Sequence, residues 1–371
     1  MYLHRCSEVR APEGETSHGG GRVVRGERGA LTVDLHCHVL VPEVETLVKD
    51  RPEKLAEGGL QKLLMGAASA EYNRTVMLPA TFPKLTSVDV RLRDMDEMGV
   101  DIQVLSPTSV QNYYWADVDL AHAIVRKTNE KIAEVCATHP ERFVALGNIA
   151  LQHPQLSIEQ LEHCTGELGM RGVQISTAIN GLELDNPTFA PFWAKAEELG
   201  SLVFIHPFGT SLGERVNRFY LQNLIGQPIE TTIALSHLIF GGVLDRHPRL
   251  KILAAHGGGY LPSYIGRSDH GYRARSDARS MARAPSEYLH QLFFDSLVYS
   301  PDALRHLINQ VGASQVVVGT DYPFDMGAYD VHPLIAGVPG LSEEDKAAIL
   351  GGNAVRLLGL KSRVRGGGGS T

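Results

Sequence analysis

The sequence predicts an α/β fold, a (β/α)8 TIM barrel with insertions after strands 1 and 5. Three observations point there. Eight short apolar runs alternate with longer helical patterns. Most of those runs are continuously apolar rather than strictly alternating, as strands buried on both faces of a parallel sheet are. Several runs also end in a histidine or an aspartate, and strand C-termini are where a barrel collects its functional residues. A doubly wound open sheet is the competing topology, and strand count alone does not separate the two.

In chain order the candidate strands are TVDLHCHV (32–39), DIQVLSP (101–107), RFVALGNIAL (142–151), RGVQIST (171–177), SLVFIHP (201–207), LKILAAHGG (250–258), LFFDSLVY (292–299) and QVVVGTDYP (315–323). Between them, ADVDLAHAIVRKTNEKIAEVCATH, SIEQLEHCTGELG, TFAPFWAKAEELG and PDALRHLINQVG carry helical spacing, and the last three stop at a glycine. Residues 43–98 and 208–248 exceed what a plain βα unit needs and are expected to shape a pocket or a subunit contact. Residues 1–30, with GGGRVVRGERGA, and 362–371, ending in RVRGGGGST, read as flexible ends, leaving one barrel domain over 31–361.

Composition bounds the function. The 371 residues are 43% hydrophobic and 21% charged, and no apolar run nears the ~20 residues of a membrane span. Thirty-five basic against 42 acidic residues give a net charge of -7, a field that repels nucleic-acid backbones. Cys6, Cys37, Cys136 and Cys164 lack CxxC spacing and no apolar signal core opens the chain, so a cytoplasmic protein with reduced thiols is expected.

The chemistry is concentrated at the strand ends. In VDLHCHVL, His36 and His38 share one face of a strand and Cys37 takes the other. An HxH pair alone is a weak signal, because single histidines are often satisfied by core hydrogen bonds. Three further runs decide it: FIHP ends in His206, AAHGGG in His256 and GTDYP in Asp321. Incidental polar residues would scatter, as His139, His153, His247 and His332 do, whereas these converge on one barrel mouth. Nitrogen and carboxylate donors without clustered thiolates suit one divalent ion per chain, zinc taken first, with manganese, iron or cobalt also compatible. A catalytic metal keeps an open position, so His36, His38, His206 and Asp321 are assigned to the metal. His256 is left as acid/base, and Asp321 can share its proton. The fourth strand ends in Gln174, Ser176 and Thr177 and offers no bridging ligand, favouring a single metal.

At this point the chain resembles the amidohydrolase superfamily, and within it the decarboxylase branch of the aminocarboxymuconate semialdehyde type, from about Val33 to Leu360. The resemblance is carried by VDLHCH, VRLRDMDEMGVDIQVLS (90–106), RFVALGNIAL, LGMRGVQIST, FIHPF, IETTIALSHLIFGGVLDRHPRLKILAAHGGGYLPSYIGRSDHG (229–271) and VVVGTDYPFDMG. By position it implies the same metal ligands and catalytic histidine. It further implies a homodimer in which Arg267, from YIGR, crosses the interface to bind a substrate carboxylate, a task suited to arginine's planar fork. The chain departs from the family prototype where a second carboxylate-binding arginine is expected: VMLPATFPKLTS (76–87) has only Lys84, with Arg74 at its edge. Phe208 stands where the prototype has a tryptophan.

The resemblance implies non-oxidative decarboxylation of a small unsaturated, aromatic or heteroaromatic carboxylic acid, with Phe208 and Phe324, and Trp115 or Trp193, as candidate pocket walls. Loss of CO₂ leaves an electron pair on carbon, and a divalent metal can help by acidifying water or by polarising substrate oxygens. Hydrolysis of an amide or lactone, or hydration of a double bond, would use the same groups. A non-catalytic homologue should have lost one of the five site residues, and none is lost.

Overall fold

The computed structural model describes residues 30–360. Apart from residue 30, the two expected terminal segments lie outside them. Eight parallel strands form the barrel among the described residues: β1 (Val33–Val39), β2 (Ile102–Pro107), β3 (Phe143–Ala145), β4 (Gly172–Ile175), β5 (Leu202–Ile205), β6 (Lys251–Ala254), β7 (Leu292–Asp295) and β8 (Val316–Val317). Continuous ladders run β1-β2-β3 and β4-β5-β6-β7-β8. Single parallel bridges close the ring, Gly147 to Val173 at one seam and Asp34 to Val318 and Cys37 to Tyr322 at the other.

Several strands are shorter than their apolar runs because side chains take over from ladder partners. Beyond Ala145, the N–H of Asn148 donates to Asn129 Oδ1 (2.7 Å) and that of Ala150 to Gln160 Oε1 (2.8 Å). Past Val318, the N–H groups of Thr320 and Asp321 both reach the His36 carbonyl, at 3.2 and 2.7 Å. The chain there leaves the ladder in order to place Asp321.

One helix after each strand lines the outside: α1 (Val88–Met98), α2 (Val118–Thr138), α3 (Pro154–Gly166), α4 (Ala190–Leu199), α5 (Gln227–Phe240), α6 (Leu261–Ala274), α7 (Pro301–Val311) and α8 (Asn353–Leu358). α7 shows the local logic. Ser300 caps it by accepting from the Ala303 N–H, and Leu304, Leu307, Ile308 and Val311 form one buried stripe. Each such side chain contributes about 1.5–3 kcal/mol by burial. Between β1 and α1 the chain adds helices at Pro42–Val48, Pro52–Met65, Ala67–Tyr72 and Leu78–Thr86; between β5 and α5 it makes short turns at Gly213–Val216 and Gln222–Gly226.

The core has two layers. Val33, Leu35, Val104, Leu146, Leu202, Phe204, Leu253 and Val317 fill the barrel, joined by Ala354, Leu357 and Leu358 of α8. Cys37, Leu105, Val203, Ile205 and Ile252 instead pack outward against helix residues such as Met95, Ile124 and Trp193.

Candidate metal centre

A β-bulge sets the site. β1 pairs Asp34 with Gln103 and then Cys37 with Leu105, so Leu35 and His36 together oppose Val104. The extra residue reverses the alternation. Below the bulge Val33 and Leu35 point into the barrel; above it His36 and His38 do, with Cys37 outward. His206 follows β5, while His256 and Asp321 follow β6 and β8 at φ 56° and 57°. Left-handed backbone is unusual for non-glycine residues, and its presence at two strand ends over one mouth marks a constrained functional site.

The side chains meet as the sequence predicts. His36, His38, His206 and Asp321 each offer a donor atom, and all four atoms lie within 4.8 Å of one another. His36 Nε2 and His38 Nε2 are 3.2 Å apart and stand 3.3 and 3.2 Å from Asp321 Oδ1. These three atoms are close enough to share one divalent ion at the usual ligand distances of about 2.0–2.2 Å. His256 joins from the side, its Nε2 3.7 Å from Asp321 Oδ2 and its ring 5.2 Å from those of His36 and His206.

Electrostatics fit a bound cation. Burial, then the neighbouring His38, His36 and His256, push the His206 imidazole well below its ordinary range, and its Nε2 is buried with no hydrogen-bond partner. A neutral imidazole with an unused lone pair is what a metal ligand requires. Burial also opposes charging His36, yet Asp321 and Asp295 outweigh it and push that imidazole up to about 10. Burial acts against the Asp321 carboxylate as well, but His36, His256 and His38 hold it well below the usual range. Two buried carboxylates therefore demand positive charge among the rings, and a divalent ion supplies it. The donor set fits a divalent metal.

Residues not singled out from the sequence support the ligands. Asp295, ending β7, accepts from His36 Nδ1 at 2.6 Å and from the N–H groups of His256, Gly257 and Leu297 at 2.8, 2.7 and 3.2 Å. The run LFFD carries the same polar-after-apolar signature as FIHP, so the signal was present. Ser109 Oγ lies 3.0 Å from His206 Nδ1 and accepts from Gln174 Nε2 at 3.1 Å. These contacts fix which nitrogen faces the metal. Gly319 makes the convergence possible: a Cβ there would stand 2.6 Å from Asp295 Cβ and 2.8 Å from His36 Cβ.

Among the proposed pocket residues, Phe324 packs its ring 5.6 Å from His38, and Phe208 is half exposed just beyond His206. Trp115 meets Tyr113 edge-on at 5.5 Å. Trp193, considered for the wall, is instead a core residue on α4, 1% exposed and donating to the Leu184 carbonyl at 2.9 Å. Phe189, Phe192, Trp193 and Ala196 recur at helical spacing and are all buried, which places the tryptophan in the layer between helix and strand. Arg267 is exposed on α6. Lys84 pairs with Asp94 at 2.8 Å and Arg74 with Glu71 at 2.7 Å, so each nearby cation already has a carboxylate.

Comparison with known proteins agrees with this geometry. The amidohydrolase family profile matches residues 33–360. A 2-amino-3-carboxymuconate-6-semialdehyde decarboxylase of Dictyostelium discoideum is 38% identical over 338 residues, covering 89% of this chain and 92% of that protein. A gamma-resorcylate decarboxylase of Rhodococcus jostii (strain RHA1) is 29% identical over 290 residues, covering 73% and 87%. The crystal structure of 5-carboxyvanillate decarboxylase from Sphingomonas paucimobilis superposes with a TM-score of 0.76 at 27% identity, covering 90% of this chain and all of that one. With its barrel closed, its four donors gathered at one mouth and its profile matched from β1 to α8, the chain belongs to the amidohydrolase family.

Proposed function

We propose that the chain is a metal-dependent, non-oxidative decarboxylase, a carbon–carbon lyase acting on a small unsaturated or aromatic carboxylic acid. The observation that carries this reading is one four-donor cluster with a fifth histidine beside it, in a chain whose relatives bear decarboxylase names along most of their length.

Held by His36, His38, His206 and Asp321, the metal would supply Lewis-acid charge to stabilise the electron pair left when CO₂ departs. The protein's own groups handle the proton. His256 Nε2 lies 3.7 Å from Asp321 Oδ2, at ion-pair distance, and is assigned to move the proton to the carbon that loses CO₂. Phe324, against His38, forms a wall that keeps water from that carbon. Phe208, on the opposite loop, is assigned to the substrate as well.

Arg267 of the partner subunit is assigned to the substrate carboxylate across a homodimer interface; its exposure on α6 supports this. Because Lys84 and Arg74 are each paired within the chain, an apolar or neutral substituent takes the place of a second substrate carboxylate. Zinc is the proposed ion. The segments 43–98 and 208–248 are read as insertions that frame the mouth of a single domain over 31–361, and the cytoplasm as its compartment. None of the helices among the described residues is long and apolar enough to cross a membrane.

Mass-resolved product analysis of zinc-loaded protein against aromatic acids, muconate semialdehydes, lactones and amides tests the reading. A product lighter by CO₂ is expected. A product heavier by water would move the chain to hydrolysis or hydration on the same groups.

A further inference from the structure

We propose that Arg91 is a positioning residue for the metal ligand His38. The inference deepens the metal-centre reading and rests on it. Two of the three liganding imidazoles are steered from their far nitrogens, His36 by Asp295 and His206 by Ser109. No side chain steers His38 in this way: its Nδ1 is buried without a hydrogen bond of good geometry, though the Pro107 carbonyl interacts with the ring. Further support for the orientation of that ring has to come from elsewhere.

It comes through the backbone. The His38 N–H donates to the Tyr322 carbonyl at 2.8 Å, and the His38 carbonyl accepts from Arg91 Nη2. Arg91 is 2% exposed, and no carboxylate among the described residues lies within ion-pair distance of it. Burying a guanidinium without a counter-ion is unfavourable unless neutral acceptors and aromatic faces compensate. Those of Arg91 lead mainly to the strands beneath the site. Nη1 donates to Gln103 Oε1 at 2.9 Å, Nη2 also reaches the Lys84 carbonyl at 3.2 Å, and the guanidinium lies 4.7 Å from the centre of the Tyr322 ring. Gln103 in turn donates to Asp34 Oδ2 at 3.0 Å, and Asp34 accepts from Thr320 Oγ1 at 2.7 Å. One buried cation thus grips the carbonyl of His38, the aromatic ring following Asp321 and, through Gln103, both strands across the bulged seam. An arginine serving only α1 would have paired with a surface carboxylate, as Arg74, Arg126 and Arg142 do.

The surroundings make the claim testable by chemical rescue. A cavity of about 320 Å³ on the helix side of β1 and β2, walled by Val41, Leu85, Val88 and Leu105, reaches Arg91 and has the exposed Glu43 and Glu134 at its rim. A small guanidinium ion can enter there.

The experiment measures zinc affinity by chelator competition for the full chain, Arg91→Ala and Arg91→Lys, with unfolding temperatures recorded in excess chelator. Arg91→Ala is expected to bind zinc about 10–100-fold more weakly, the range for lost outer-shell support of a ligand. Methylguanidinium should restore much of the loss, and urea, being neutral, should not. Should Arg91→Ala fail to fold, Arg91→Lys decides: a several-fold loss of zinc affinity is expected at near-wild-type unfolding temperature. Zinc affinity equal to wild type in the folded variants, or a loss that methylguanidinium and urea repair equally, overturns the role of Arg91. Failure of the wild-type chain itself to bind zinc overturns the metal-centre reading instead.

Discussion

His36 Nδ1 lies 2.6 Å from Asp295 Oδ2, with both side chains fully buried. The contact joins the end of β7 to the bulged segment of β1. It commits Nδ1 to the carboxylate and turns Nε2 toward His38 and Asp321, the direction a metal must occupy. Asp295 meanwhile accepts from the His256 and Gly257 N–H groups, so one carboxylate positions both His36 and the turn that bears His256, the proposed acid/base.

Replacing that carboxylate is therefore expected to disturb two functions together. Asp295→Asn should weaken zinc binding about 10–100-fold. It should also lower turnover in protein held saturated with zinc, because its NH2 group would face backbone N–H donors that now point at a carboxylate oxygen. Isothermal titration and saturating-metal kinetics check the two effects separately.

Ser109→Ala removes the partner of His206 Nδ1 without opening a large void. A loss of about 0.5–1.5 kcal/mol in metal binding, roughly two- to thirteenfold in affinity, is expected. Competition against a chromogenic chelator measures it.

His256 tests acid/base chemistry apart from ligation. His256→Asn is the apt change, since asparagine tolerates the left-handed backbone at this position. Turnover should fall about 10²–10⁴-fold with one zinc still bound per chain. Metal analysis beside steady-state rates distinguishes this from loss of the ion.

Gly319→Ala would place a methyl group against Asp295 and His36. Overpacking of this kind costs about 1–3 kcal/mol, and here the strain should appear also as weaker zinc binding. Denaturant unfolding in chelator, paired with zinc titration, reads both.

Arg267 calls for a mixing experiment. If each site borrows Arg267 of the partner subunit, Arg267→Met and His256→Asn are each nearly inactive alone. Subunit exchange should then restore about one quarter of wild-type activity, because half the dimers are mixed and one site in each has both groups. Absence of recovery after verified exchange would place Arg267 outside the neighbouring site.

Much of the site was legible because four of its strands announce themselves in the same way, an apolar run broken by one ionisable residue. His206, His256 and Asp321 each occupy that position, and each arrives at the barrel mouth. Asp295 does too, but its role could not be read from the run, since a residue behind a ligand and a ligand look alike in one dimension. The bulge was not legible. Strict alternation along VDLHCH would put Asp34 on the same face as His36 and His38, whereas the extra residue at Leu35–His36 separates them and leaves Asp34 with Gln103 and Thr320. Arg91 was hidden for a related reason: within VRLRDMDE its charge reads as a solvated helix face, and only the packing of α1 against β1 and β2 buries it. Trp193 shows the converse, an aromatic with pocket chemistry that helical spacing turned into the core.

The measurement that bears most directly on the account is CO₂ release followed while chelated protein is titrated with zinc, using an aromatic or unsaturated acid that the product survey shows to be turned over. The account predicts no release before metal is added, then a rise proportional to zinc that levels off near one equivalent per chain. Release from the chelated protein, or a plateau near two equivalents, would contradict a single metal held by His36, His38, His206 and Asp321.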